Sequence, residues 1–190
     1  MTKVSIRPED LKKFYTYTAP LSTILVTTVD DKGKPNIVTL AWHSPISMDP
    51  PMYGISLNPK RYTHELIVKS QEFVVNFPPF RLLEKVHYCG SVSGRKEDKW
   101  RKTGFTPIPS EKVKAPGIGE CYLHLECTLA EGAVFGDHTW FAGNIVAMQA
   151  DDGLFDAGIL KETGDPTLYL GKDKYQNLRG QRIQMWERNK

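Results

Sequence analysis

Residues 121–129 run Cys121-Tyr122-Leu123-His124-Leu125-Glu126-Cys127-Thr128-Leu129. In an extended chain, Cys121, Leu123, Leu125, Cys127 and Leu129 fall on one face, and Tyr122, His124, Glu126 and Thr128 fall on the other. This alternation predicts a half-buried β-strand. A turn over residues 131–136 and a second long strand over 138–148 follow, so the pair forms a hairpin.

Upstream, residues 21–29 are rich in Thr, Val, Ile and Leu and predict a strand. Asp30-Asp31-Lys32-Gly33-Lys34-Pro35 supplies a hairpin connection, and residues 36–42 return as the partner. Pro45, Pro50 and Pro51 bracket an expected loop, because proline cannot donate to a central ladder. Residues 52–57 and 72–77 predict two more strands. Between them, a helix is expected over 63–70, with Thr63 as N-cap and Glu65 in the first turn. Short helices are also expected over 8–14 and after Pro79, where Leu82, Leu83 and Val86 recur at helical spacing. Residues 89–119 predict a surface excursion with one helical turn near 97–102, and residues 167–170 a weak edge strand. Six or more strands joined by tight turns point to an all-β antiparallel barrel with short peripheral helices. No Gly-x-Gly-x-x-Gly follows a strand, so no parallel βαβ nucleotide unit is expected.

At 190 residues, with 40% hydrophobic content, the chain can bury roughly 70% of its unfolded surface without metal or disulfide staples. We expect a single domain over 1–190, with a core of about 15–150 and a C-terminal segment, 151–190, packing on the barrel or on a partner subunit. The net charge of +3 is scattered, with Lys and Arg beside acids as in Arg95-Lys96-Glu97-Asp98-Lys99, and predicts no nucleic-acid surface. Apolar runs are too short for a membrane span, and the first residues lead into charge rather than an apolar signal core. Cys89, Cys121 and Cys127 make no Cys-x-x-Cys pair, which fits a reducing, cytoplasmic setting with no metal site. Cys121 and Cys127 suit a core; Cys89, before Gly90-Ser91, is the more exposed by this reading.

Four stretches could carry chemistry. Ser56-Leu57-Asn58-Pro59-Lys60-Arg61-Tyr62-Thr63-His64 runs from a strand end into a helix N-terminus, where free N–H groups, Arg61 and hydroxyls suit a phosphate; a capped helix with a solvated arginine is the plain alternative. Residues 36–45 leave the sheet through Trp42, whose indole beside small polar residues suits a flat heteroaromatic ring or simply a core position. In residues 90–100, Gly and Ser allow close backbone approach and Lys99 and Arg95 could meet an anion, or be surface charge. His138, beside Asp137 at a strand start, could hydrogen-bond a ligand or be structural. No third partner completes a nucleophilic triad, and the five histidines lack metal-ligand spacing.

In their order, several segments resemble the flavin reductase-like family of FMN-binding split barrels, closest to its flavoredoxin-type members. They are Thr27-Thr28 before the hairpin, Asn36 through Pro45, Pro50-Pro51, Ser56, Arg61-x-Thr63, Glu72 through Asn76, Cys89-Gly90-x-x-Ser93-Gly94 with Asp98-Lys99-Trp100, and Gly136-Asp137-His138. The resemblance implies a six-stranded antiparallel Greek-key split barrel, a homodimer and noncovalent FMN near the subunit interface. It places flavin ligands at Asn36, Trp42, Thr63, Lys99 and His138. Thr39, Leu40, Ala41, Ser56, Arg61 and Ser93 join the expected site, with Tyr169 closing the ring pocket. Lys99 and His138 are each open to a ring-tuning or a phosphate role, and no catalytic residue is assigned. The chemistry would belong to the cofactor. The implied function is electron transfer through tightly bound FMN. The alternatives are an NAD(P)H-dependent flavin reductase supplying reduced flavin to a partner and a non-redox ligand-binding barrel; the implied partners are NAD(P)H or a redox protein. A barrel filled by its own side chains leaves the ring outside, to be covered by a second subunit through Trp140, Phe141, Tyr169 and Tyr175.

Overall fold

The computed structural model describes residues 2–178. Its main sheet has seven strands: β1 (Ile24–Val29), β2 (Pro35–Leu40), β3 (His43–Met48), β4 (Pro51–Leu57), β5 (Glu72–Phe77), β6 (Leu123–Phe135) and β7 (His138–Ala150). All neighbours pair antiparallel, in the order β2-β1-β5-β6-β7-β4-β3. The outermost strands, β2 and β3, are separated in the chain only by Ala41 and Trp42. From Leu40 to His43 the backbone can reach at most about 11 Å. The sheet must therefore curl until its two edges nearly meet, which makes it a split barrel.

Side chains hold that seam. His43 Nε2 donates to the Ser22 carbonyl at 2.9 Å, which fixes the tautomer and leaves Nδ1 to accept from the Tyr53 hydroxyl at 2.6 Å. Burial pushes the His43 pKa down, which favours this neutral form. The Ser56 amide donates to the Trp42 carbonyl at 2.9 Å, which extends the β3–β4 ladder past His43 and Ile55. Inside the barrel, Ile24, Val26, Ile55, Phe73, Val75, Cys127 and Phe141 form one core. Alternate residues of β1 and β2, Leu25 and Ile37, point outward into a second core beneath α2 (Leu83–Ser91) and α3 (Lys99–Thr103).

The outer edge of β2 is covered rather than left open. Thr39 Oγ1 donates to the Val86 carbonyl, and Gly90 sits so close that a Cβ there would lie 3.2 Å from Thr39 Cβ. Lys99 Nζ, almost fully buried, donates to the Ile37 carbonyl at 2.7 Å and the Cys89 carbonyl at 2.6 Å. One ammonium thereby satisfies an edge-strand oxygen and an oxygen of the last turn of α2.

Several expectations are corrected. The proline-bracketed segment after Trp42 is strand β3, which joins the sheet as an edge, where Pro45 needs to donate nothing inward. The predicted turn over 131–136 is narrower: β6 runs to Phe135, and Gly136, with φ 61°, makes the turn. The strand over 121–129 begins at Leu123 and is buried on both faces. His124 Nε2 donates to the Ile118 carbonyl at 2.8 Å, and Glu126 accepts the amides of Glu111 and Lys112 at 2.8 and 2.7 Å. The face that looked solvent-exposed pins a long loop through its own polar groups. Cys89 is fully buried, and burial pushes its thiol up to about 12. Thr63 is not the N-cap of α1 (Tyr62–Ser70); Arg61 holds that position and makes no side-chain cap. Phe141, proposed for an interface, is in the barrel core.

The C-terminal segment contributes a hairpin, β8 (Leu168–Gly171) and β9 (Lys174–Gln176), with β8 pairing onto Leu21 and Ser22. Residues 179–190, expected to pack on the barrel or a partner, lie outside the described residues. The 3₁₀ helix Pro8–Lys13 runs into the short helix Phe14–Tyr17. No described helix is long and apolar enough to cross a membrane.

A Cβ at Gly143 would lie 2.6 Å from Phe73 and 2.9 Å from Cys127, both fully buried. We expect Gly143→Ala to destabilise the protein by about 1–3 kcal/mol through overpacking. Urea unfolding should show a lower midpoint at unchanged slope.

Candidate functional site

The seam that closes the barrel opens outward into a cavity of about 680 Å³. Thr39, Leu40, Ala41 and Trp42 line it from the end of β2, Ser56 from the end of β4, and Arg61 from the start of α1. His138, at the start of β7, and Tyr169, on β8, complete the expected residues found there. Trp42 is only half-buried, so it belongs to the cavity rather than to the core. Its ring packs on Phe14 and Tyr15 at 6.0 and 6.1 Å and on His138 at 4.9 Å. Neighbours lower the Asp137 pKa, first among them its hydrogen bond with His138, so the carboxylate accepts from His138 Nδ1 at 2.8 Å. Nε2 is then the ring's free nitrogen.

A second, polar cavity of about 70 Å³ adjoins the first, sharing Val38, Lys60 and Arg61 with it. Asn36, Thr63, Ser93 and Lys99 line it, and all but Ser93 are at least nine-tenths buried. Its volume is about twice the ~30 Å³ share of one liquid water, the scale of a tetrahedral oxyanion. Asn36 Nδ2 donates to Thr63 Oγ1 at 2.8 Å, which leaves the Thr63 hydroxyl proton free for another acceptor. Arg61, Tyr62 and Thr63 bring the uncapped N-terminus of α1 to the same place, with its first-turn amides unclaimed by any side chain. Gly94 packs so tightly that a Cβ would fall 1.9 Å from Asn36 Oδ1. Lys99 has one N–H left after its two carbonyl bonds, and it lines this cavity, not the larger one.

All twelve expected residues therefore gather at these two joined cavities, divided by chemistry. Others escaped the sequence reading. His87, Gly90 and Ser91 face the large cavity at helical spacing i, i+3, i+4 on α2, a signal present in the sequence. Tyr15 and Thr23 come from outside the barrel strands, and no local pattern marks them; Tyr175, expected at a subunit interface, lines the cavity within one chain. Thr23 Oγ1 is buried at the cavity with no partner. A third, apolar cavity lies on the far side of shared wall residues Trp42, Ser56 and His138, lined also by Phe14, Phe135 and Trp140. No group of three or more His, Cys, Asp or Glu residues is placed to hold a metal among the described residues.

Burial lowers the Lys99 pKa from 10.5 to about 8. Above pH 8 the folded chain releases this proton while the unfolded chain keeps it, so stability from this group rises with pH. We expect a gain of about 1 kcal/mol between pH 7 and 9 relative to Lys99→Met, read from paired urea melts.

Comparison with known proteins gives a consistent result. The family model described as flavin reductase like domain matches residues 16–179. An uncharacterized protein of Archaeoglobus fulgidus is 41% identical over 140 residues, covering 74% of this chain and 78% of that one. The flavoredoxin of Methanosarcina acetivorans superposes with a TM-score of 0.81 at 30% identity, covering 100% of this chain and 95% of that one. The FMN-binding protein of Thermus thermophilus with bound 1-cyclohex-2-enone gives 0.82 at 29% identity, covering 97% and 98%.

Proposed function

This chain belongs to the flavin reductase-like family, and from that premise we propose that it is an FMN-binding redox protein of the flavoredoxin type. One observation carries the reading: a phosphate-sized polar cavity adjoins a large aromatic one and shares Val38, Lys60 and Arg61 with it. FMN has one phosphate and one flat ring system, and the two cavities divide those demands between them. The chain's own groups fit it. The unpartnered hydroxyl of Thr23 can bond a ring edge, and Gly90 lets α2 approach Thr39, both of them lining the large cavity.

Arg61, Thr63, the Lys99 ammonium and the α1 amides would hold the phosphate. Asn36 orients Thr63, and Ser93 adds a hydroxyl beside them. This assigns Lys99 to the phosphate and His138 to the ring. Trp42, Leu40 and Ala41 give the ring its apolar surface, and His138, steadied by Asp137, sits at its side. Bound there, the flavin supplies one- and two-electron redox chemistry. With Nδ1–H held by Asp137, His138 would present Nε2 as an acceptor to a ring N–H.

We read the protein as a homodimer. Phe135 at the β6–β7 tip and Phe14 are 67% and 55% exposed beside the apolar cavity, next to the wall the ring would contact. A second subunit would cover these groups and shield the flavin. Electron transfer to a protein partner is favoured over NAD(P)H-dependent supply of free reduced flavin by the likeness to a flavoredoxin at 30% identity. That the T. thermophilus FMN-binding protein was obtained with 1-cyclohex-2-enone supports a small carbonyl compound as a further ligand of this chain.

Titration of FMN and riboflavin into flavin-free protein tests the phosphate assignment. Arg61→Ala and Thr63→Ala should each weaken FMN by tenfold or more, about 1.5–3 kcal/mol for a lost charge-assisted bond, and leave riboflavin unchanged. An unchanged preference for FMN over riboflavin would remove the phosphate from this cavity. Anaerobic addition of NADH or NADPH to the loaded protein decides the electron source, since only a nicotinamide-dependent reductase bleaches the flavin. Sedimentation of the loaded protein decides the dimer: a 21.5 kDa monomer that keeps its FMN defeats it.

A further inference from the structure

The large cavity carries two groups that the flavin assignment leaves unused, His87 and Tyr175, beside Tyr169, which it places at the ring. His87 on α2 and Tyr169 and Tyr175 on the C-terminal hairpin all line it, and none of them borders the small polar cavity or the apolar one. The two tyrosine rings lie 5.3 Å apart between centroids, and the His87 imidazole meets Tyr175 edge-on at 5.9 Å and 85°. His87 Nδ1 is 3.3 Å from the Tyr175 hydroxyl.

That pair offers an outward donor whichever way its own hydrogen bond runs. If the phenol donates to Nδ1, the imidazole proton is on Nε2. If Nδ1 donates to the phenol oxygen, the phenol O–H is free. Burial raises the Tyr175 pKa, so its proton stays in place across the neutral range. Aromatic faces beside one fixed donor match a flat conjugated ring that bears a hydrogen-bond acceptor.

The charges argue against a dinucleotide here. Asp173 is the charged residue that the hairpin contributes to the lining, and its neighbours Lys172 and Lys174 do not border the cavity. The lining cations Lys60 and Arg61 both sit where the large cavity meets the phosphate-sized one, so none is left on this wall for a pyrophosphate.

We propose that α2 and the β8–β9 hairpin form a second binding site within the large cavity, where a flat conjugated carbonyl compound stacks on Tyr175 and the His87–Tyr175 pair donates a hydrogen bond to its oxygen. This rests on the flavin reading above, because it places the compound beside the ring, and it assigns the substrate class to particular residues. A donor held at that oxygen stabilises negative charge developing there.

Equilibrium binding of two probes tests it. 4-Hydroxyacetophenone carries the conjugated carbonyl, and 4-ethylphenol has nearly the same shape without it. Each is titrated by calorimetry into FMN-loaded protein in the oxidised state, where no turnover occurs, and into flavin-free protein. The native chain should bind the ketone at least tenfold more tightly than the ethylphenol. His87→Leu should erase that preference and His87→Gln, which keeps an N–H donor, should restore part of it. Tyr175→Phe should reduce it, while all three variants keep native FMN affinity by flavin fluorescence. Equal binding of the two probes by the native chain overturns the proposal, as does a preference that survives both His87→Leu and Tyr175→Phe. Failure of FMN to bind at all overturns the functional reading instead, and the ketone preference is still measured on the flavin-free chain.

Discussion

The two-residue step from Leu40 to His43 governs this molecule. It carries the chain from one edge of a seven-strand sheet to the other, so the sheet must roll up, and the rolled edges meet imperfectly at Ala41 and Trp42. Everything near the seam follows from closing that gap. His43, steadied by Tyr53 on the neighbouring strand, reaches across it to the Ser22 carbonyl, and the Ser56 amide carries the β3–β4 ladder on to the Trp42 carbonyl. Because the interior is filled by residues such as Phe73, Ile55 and Phe141, no room for a ligand is left inside. The cavity forms outside, where the mismatch of the edges leaves strand ends, a helix N-terminus and an indole facing one space.

The same economy governs the polar groups. A sheet edge leaves unpaired carbonyls, and a helix end leaves more; Lys99 meets one of each and still has a donor to offer. Its burial is tolerable because two oxygens are already in place, and it keeps a cation next to Asn36 and Thr63, which are buried and fixed by their mutual hydrogen bond. An anion entering this cavity meets a prearranged set of donors. The structural role of Lys99 and the one proposed for it rest on one geometry: the ammonium that ties α2 to β2 is also the buried cation of the small polar cavity.

The long loop over residues 104–121 shows how an outer face becomes an inner one. Glu126, His124, Asn76 and Glu72 all stand on β5 and β6 and look, by alternation, like the wet side of the sheet. Each instead bonds a backbone group of this loop, Asn76 Oδ1 accepting from the Ile118 amide at 2.9 Å and Glu72 from the Lys114 amide at 2.7 Å. A loop with little regular structure of its own has backbone groups to satisfy, and side chains on the sheet satisfy them.

The strands, the hairpin turns and the order of elements were legible along the chain because each depends on neighbours one to four residues away. Period-two alternation marks the middle of β6, β-branched residues mark β1, and Gly33 and Gly136 mark turns. The twelve expected site residues could be gathered through a resemblance carried by short local motifs such as Arg61-x-Thr63 and Gly136-Asp137-His138. Local pattern did not reveal that the polar face of β6 is buried, that Pro45 lies in an edge strand, or that Cys89 is sealed on the inner face of α2, since each depends on packing against another segment that no local repeat marks. It could not divide Lys99 from His138, because both are polar residues near small ones until the fold puts one under a helix end and the other against Trp42. Nor could it bring His87 to Tyr175, 88 positions apart. Most strands, turns and helices were set by local sequence; tertiary closure drew the 43–48 segment into the sheet and decided which faces would be buried and which side chains would share a cavity, because burial and proximity arise from packing between segments.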